Sequence, residues 1–262
     1  MARLHRSWRE MLSYFHTPRL ADIRWAHRVN SQDRLDQALA APDIHFVEGD
    51  VALDPQGTPI MAHPPDRSSD LSLATWLDAL IAEGRGAKLD IKEPEAVLPS
   101  LDLVAQRAQD RIPVMVNADL FQGPGGPMPA FIPEEFVATC QAMVPFAILS
   151  PGWAVGTHGQ GYTLPMLEEM ASLLARVDMP VTLSVHAWLL FSSWTEFKWM
   201  LDEHPFTLTV WGQVTVPELV GWLERYTDPQ RTLYDIQGPN GVPIFVHGCV
   251  SPSVEAPLRP PS

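Results

Sequence analysis

The sequence predicts a single (β/α)8 barrel, a TIM barrel, carrying a short N-terminal helix and a Pro-rich C-terminal tail. Three observations lead there. Short apolar runs alternate with longer helical patterns; there are eight such runs; and polar residues gather at their C-terminal ends. A chain of 262 residues, 46% hydrophobic and 19% charged, buries one large core and is short for two ordinary domains. The expected division is a helix over 1–20, the barrel over 21–250 and a disordered tail over 251–262, "SPSVEAPLRPPS".

The strand candidates are "DIRWAH" (22–27), "IHFVEGDVAL" (44–53), "AKLDIK" (87–92), "PVMVNADL" (113–120), "FAILS" (146–150), "PVTLSVHAW" (180–188), "FTLTVWGQV" (206–214) and "RTLYDI" (231–236). "PIMAH" (59–63) reads as an extra hairpin strand, turned back by "DPQG". Helical patterns fill 31–40, 73–83, 95–109, 133–143, 163–177, 193–203 and 216–226, and Trp194 and Trp199 on the sixth of these read as core. Ser31, Ser72 and Pro133, the last followed by Glu134 and Glu135, are start signals. An open doubly wound sheet is the competing fold, because it shares the same alternation.

Formal net charge is −13, with no Lys/Arg stripe and no aromatic residues interleaved with basic ones. That argues against a nucleic-acid partner. An anionic substrate would need local help, such as a bound cation. Cys140 and Cys249 lack metal-ligand spacing and read as inert thiols of a reducing compartment, which makes the cytoplasm the expected location. No run approaches the roughly 18 apolar residues of a membrane span. In "MARLHRSWREMLSYFH" the arginines interrupt any secretory h-region. Leu4, Trp8, Met11, Leu12 and Phe15 share a helical face. That face either docks on the domain's own surface or, over residues 4–15, lies in a membrane interface.

In a β/α barrel the chemistry sits where the strands end. The polar strand ends are His27; Glu48 and Asp50; Asp90 and Lys92; Asn117 and Asp119; Ser150; Ser184 and His186; Trp211 and Gln213. Spacing i, i+2 puts Glu48 with Asp50, and Asp90 with Lys92, on one face of each strand. Carboxylates crowded into a partly dry pocket repel unless paired or coordinated. Glu48, Asp50 and Asp90 therefore read as ligands of a hard divalent cation, Mg2+ or Ca2+; the bland alternative pairs them with Lys92 in an inert network. His27 and His63 are the acid/base candidates. Lys92, together with Asn117 and Trp211, is a substrate-binding candidate, since its ammonium can take a phosphate oxygen. "FQGPGGP" (121–127) lacks the Lys-Ser/Thr of a phosphate loop and reads as a βα loop at the mouth.

The stretches "WAHRVNS", "VEGDVALDPQGTPIMAHPP", "SDLSLATWLD", "AKLDIKEPEAV", "PVMVNADL", "GPGG" and "LSPGW" closely resemble the menorin, or FAM151, family. That family is similar to the glycerophosphodiester phosphodiesterases of the phospholipase C-like superfamily. The phosphodiesterase pattern places a His at the end of the first strand, E-x-D on the second, a His after the next turn and E-x-K on the third. His27, Glu48 with Asp50, His63, and Asp90 with Lys92 match it in turn.

The relatives' H-R-G is here His27-Arg28-Val29, their H-D is His63-Pro64, and the third acid is Asp90, as in the sphingomyelinase D-like branch. The resemblance implies a divalent cation on the three carboxylates, His27 and His63 as general base and acid, and Lys92 as a phosphate-positioning residue. The expected activity is hydrolysis of a glycerophosphodiester- or phospholipid-like phosphodiester. The alternatives are a catalytically silent barrel that binds metal or phosphate headgroups, and a metal-dependent hydrolase of non-phosphate substrates.

Overall fold

Eight parallel strands run in sequence order around the molecule, and helices cover their outer faces. The coordinates are a computed structural model and describe residues 6–156, 160–214, 216–238, 244 and 246. The parallel strands are β1 (Trp25–Ala26), β2 (Phe46–Leu53), β4 (Gly86–Ile91), β5 (Val114–Gln122), β6 (Ile148–Ala154), β7 (Thr182–His186), β8 (Thr207–Gln213) and β9 (Thr232–Gln237). The hairpin strand β3 (Pro59–Met61) pairs antiparallel with the end of β2. β1 and β9 share no backbone ladder among the described residues, so the barrel is nearly closed rather than fully hydrogen-bonded. The (β/α)8 expectation holds.

Helices α1 (Arg6–Tyr14), α2 (Gln32–Ala40), α3 (Leu73–Ala82), α4 (Val97–Arg107), α5 (Pro133–Met143), α6 (Leu164–Leu174), α7 (Ala187–Ser192), α8 (Trp194–Glu203) and α9 (Pro217–Tyr226) alternate with the strands. The start signals act as expected. The Ser31 and Ser72 hydroxyls accept from the backbone N–H groups of Arg34 and Thr75, satisfying donors that the first turn leaves orphaned. Pro133 opens α5 with Glu134 and Glu135 beside the positive end of the helix dipole.

Two expectations change. The run 180–188 is a strand only over Thr182–His186; from Ala187 the chain turns into the short helix α7, whose Ala187, Leu189, Leu190 and Phe191 pack inward while Trp188 stays exposed. Trp199 is exposed, because Phe197 and Met200 take the inward positions of α8, whereas Trp194 is partly buried and meets Trp222 edge-on. Residues 1–5, the tail 251–262 and Cys249 lie outside the described residues; Cys140 is a buried free thiol.

The inward faces of the strands form layers. The lowest is apolar: Trp25, Phe46, Met115, Ile148 and Leu233 join Trp8, Met11 and Leu12 of α1 in one cluster. Trp25 and Phe46 meet with ring centroids 4.9 Å apart, and a Cβ at Gly86 would lie 2.7 Å from the Phe46 ring. Only glycine leaves that ring its place. The apolar face of α1 is thus spent on the barrel floor, the docked alternative of the two. Among the described residues no helix is long and apolar enough to cross a membrane.

Above the floor the inward positions turn polar. The strand register sets Glu48 beside Lys88, Asp50 beside Asp90, Asp90 beside Asn117 and Asn117 beside Ser150.

Candidate metal and catalytic site

The inward residues of β2, β4 and β5 converge on a cleft of about 280 Å3 at the C-terminal mouth, lined by His27, His63, Asp50, Lys92, Asp119 and Trp211 among others. Glu48 and Asp50 lie two apart on β2, so the strand period aims both the same way. The segment after β1 wraps them. Arg28, in the left-handed region at φ 56°, donates its backbone N–H to Glu48 Oε2 at 2.6 Å. Asn30 clamps Asp50 twice: its Nδ2 donates to Oδ2 at 2.7 Å, and its Oδ1 accepts the Asp50 N–H at 2.9 Å.

Asp90 is held from both sides. Asn117 Nδ2 donates to its Oδ1 at 2.9 Å, while Ser150 Oγ donates to Asn117 Oδ1 at 3.0 Å, so both ends of the Asn117 amide are engaged. Lys92 Nζ donates to Asp90 Oδ2 and lies 3.0 Å from Asp50 Oδ1. Glu48, Asp50 and Asp90 each present an oxygen within 4.8 Å of the others, and these acidic residues could hold a metal ion. An all-oxygen set suits a hard cation such as Mg2+ or Ca2+.

His27 follows β1. Its Nδ1 lies 2.8 Å from Asp235 Oδ2 and 3.2 Å from Glu48 Oε2. Burial works to lower its pKa, but the charges of Asp235 and Glu48 outweigh burial and raise it to about 9. Nε2 has no hydrogen-bond partner among the described residues. Burial pushes the Glu48 carboxyl up, with His27 opposing and Asp50 adding to the rise. Burial also resists ionisation of Asp50, yet Lys92 and the Asn30 hydrogen bond hold it below the usual range. The Asp119 carboxyl is raised to about 6 by burial and the nearby Asp90.

The hairpin carries His63 to the rim. Ala62 N–H donates to the Asp50 carbonyl at 2.9 Å; His63 is exposed there, with Nδ1 2.7 Å from the Pro64 carbonyl. Every sequence-predicted residue thus lines the one cleft: His27, Glu48, Asp50, His63, Asp90, Lys92, Asn117 and Trp211. Two residues of the constellation were missed. Asp235 of β9 is fully buried between His27 and Lys88, whose Nζ is 4.0 Å away, and that ammonium lies 5.7 Å from the Trp25 ring centroid. Their signal was present: Lys88 is in phase with Asp90 and Lys92, and Asp235 is the one carboxylate in "TLYDIQ".

Fold and site together define a (β/α)8-barrel protein with a metal-capable carboxylate cluster and histidines at its C-terminal mouth. The chain belongs to the menorin family: residues 19–240 match the Menorin N-terminal domain. It is 32% identical over 233 residues to human protein FAM151B, covering 84% of each chain. Among solved structures, a β-mannanase from Streptomyces thermolilacinus matches with a TM-score of 0.50 and 16% identity, over 82% of this chain and 78% of that one, which bears out the barrel and nothing more. A glycerophosphodiester phosphodiesterase from Agrobacterium tumefaciens is also a neighbour, at a TM-score of 0.38 and 11% identity over 82% of this chain and 95% of that one, too distant to weigh on function.

Proposed function

We propose that the protein is a metal-dependent phosphodiester hydrolase acting on a glycerophosphodiester- or phospholipid-like substrate. The observation that carries this reading is the meeting of Glu48, Asp50 and Asp90 oxygens within 4.8 Å, with Lys92 and two histidines on the same cleft. A divalent cation held by the three carboxylates would supply positive charge to a non-bridging phosphate oxygen.

The chain's own residues do the rest. Lys92 stabilises charge on the phosphate. Asn30 and Asn117 fix the rotamers of Asp50 and Asp90. Of His27 and His63, one takes the proton of the attacking water as its oxygen bonds to phosphorus; the other gives a proton to the alcohol oxygen as the P–O ester bond breaks. Trp211 lines the same cleft and offers an aromatic face to the substrate. A cytoplasmic location belongs to the same reading, supported by the two cysteines without pairing pattern.

The test is hydrolysis of bis(p-nitrophenyl) phosphate and of a glycerophosphodiester by the purified chain, with and without chelator and in His27→Ala. Turnover that survives the chelator overturns the metal role.

One observation favours a second reading, a catalytically silent barrel that binds phosphate headgroups. Lys92 already reaches both Asp50 and Asp90, so one ammonium offsets part of the charge of the two carboxylates without a metal ion. Phosphate binding without turnover, measured by calorimetry, would select it.

A further inference from the structure

Charge is unevenly spread around the mouth. The segments that follow β1, β3 and β4 carry Arg28, Arg34, Asp66, Arg67, Glu93 and Glu95. Those that follow β5, β6, β7 and β8 carry none: although 19% of the chain is charged, residues 120–133, 151–166, 187–195 and 211–217 contain no Asp, Glu, Lys or Arg. The four strands are consecutive in the sheet, so these segments form one charge-free crescent over half of the rim.

The same crescent is apolar at its tips. Met128, Ile132, Leu164, Trp188 and Val216 are exposed there, five of the nine large hydrophobic side chains exposed among the described residues. Leu164 and Trp188 are in the first turns of α6 and α7, and Ile132 and Val216 directly precede α5 and α9. A helix that follows a barrel strand starts at the C-terminal end of that strand, so these four stand at the level of the mouth. Exposed apolar side chains gathered on one face mark a contact surface.

The tips are stiff. Met128, 74% exposed, is flanked by Pro127 and Pro129, and the glycines before it are tied to the end of β6. Gly123 N–H donates to the Ala154 carbonyl at 2.8 Å, Gly156 N–H donates to the Pro124 carbonyl at 3.0 Å, and a Cβ at Gly126 would lie 1.8 Å from that same Ala154 oxygen. Trp188 is braced as well, stacked on Phe191 with ring centroids 5.4 Å apart. Groups fixed in place beforehand lose little conformational entropy on contact.

Shape and charge say what covers the crescent. Neighbouring helices pack about 10 Å apart, which spreads the tips over roughly 30 Å. They rise from separate segments; a fluid surface conforms to each, whereas a protein would need a matching contour. Behind the tips, the first turns of α5 and α9 bring Glu134, Glu135 and Glu218, and with a net charge of −13 these oppose an anionic membrane. An indole and aliphatic tips without charge suit the headgroup boundary of a zwitterionic bilayer.

We propose that the crescent of Met128, Ile132, Leu164, Trp188 and Val216 docks on a zwitterionic phospholipid surface, setting the mouth of the barrel against the headgroups. Docking needs no turnover, so the proposal holds for a hydrolase and for a silent barrel alike.

Co-sedimentation of the full chain with phosphatidylcholine vesicles, in chelator to remove metal-bridged phosphate contacts, tests it. Wild type is expected to sediment with the vesicles, and Met128→Glu and Trp188→Glu each to bind at least about tenfold more weakly. Trp199→Glu, which changes a comparably exposed tryptophan midway along α8, is expected to bind as wild type does. Absence of wild type from the vesicle pellet, undiminished binding by both rim variants, or binding that appears only when phosphatidylserine is added overturns the proposal. A wild-type dimer in sedimentation equilibrium that Trp188→Glu dissociates, with no vesicle binding, gives the crescent to a second copy and overturns it too. The comparison of the two vesicle compositions needs no variant to fold. Failure to hydrolyse any phosphodiester strikes the enzyme reading and leaves the docking result standing.

Discussion

His27 Nδ1 lies 2.8 Å from Asp235 Oδ2, a side-chain bond that joins the first and last strands where no backbone ladder does. The seam of the barrel and the candidate acid/base group are held by the same carboxylate. Asp235→Ala takes a buried carboxylate from His27 and Lys88, leaving Glu48 as the acid beside His27, and removing one member of a buried charged set costs about 3–5 kcal/mol. Urea unfolding is expected to show a loss of that size, and a smaller one for Asp235→Asn, which keeps an acceptor. A change under about 1 kcal/mol in the alanine variant would show that the seam does not depend on this pair.

Cation binding is expected to depend on residues that never touch the cation. Asn30→Ala frees Asp50 from its two hydrogen bonds, and loss of such an orienting partner weakens metal affinity about 10- to 100-fold. Direct removal of a ligand oxygen in Asp50→Asn is expected to weaken it further. Titration of Mg2+ and Ca2+ into the three proteins checks this, and equal affinities would remove the carboxylates from the metal site.

Trp8 carries the docking of α1 and is fully buried in the floor cluster. Trp8→Ala is expected to cost about 3–5 kcal/mol in unfolding free energy. Near-wild-type stability, combined with binding of wild type to phospholipid vesicles, would return α1 to the membrane interface.

His45 gives a pH dependence clear of the metal ligands. Burial, together with the nearby Arg24 and Arg85, lowers its pKa in the folded chain, and its Nδ1 accepts the Arg24 backbone N–H at 3.1 Å. The unfolded imidazole, near 6.5, then binds protons more readily than the folded one. Its contribution is present in full above that value and is lost as the pH falls below it. Melting temperatures between pH 7 and 5 are expected to drop less steeply in His45→Gln than in wild type; parallel profiles would exclude this imidazole as the source.

The strands were legible because their apolar runs are short and bounded, and the E-x-D and D-x-K pairs because a period of two is unambiguous about faces. Residues 187–191, "AWLLF", were absorbed into the preceding strand, since a continuous apolar run does not tell a strand from a buried helical turn. Depth was the larger gap. Spacing puts Lys88 on the same face as Asp90, yet nothing local says that it lies one layer lower, against Asp235 and Trp25. Asp235 has no i, i+2 polar partner before it on β9, and its meaning comes from His27, more than two hundred residues earlier in the chain, and from Lys88 of β4.

The floor sealed by Trp8, Met11, Trp25 and Phe46 makes the barrel a cup, closed below Glu48 among the described residues. Glu48 is reached from the mouth, whose lining among the described residues includes His63 and Trp211, so a departing molecule and an arriving one share that mouth. Under the hydrolase reading, a product retained near Lys92 would compete directly with incoming substrate, and the rim rather than the base would set the pace of exchange.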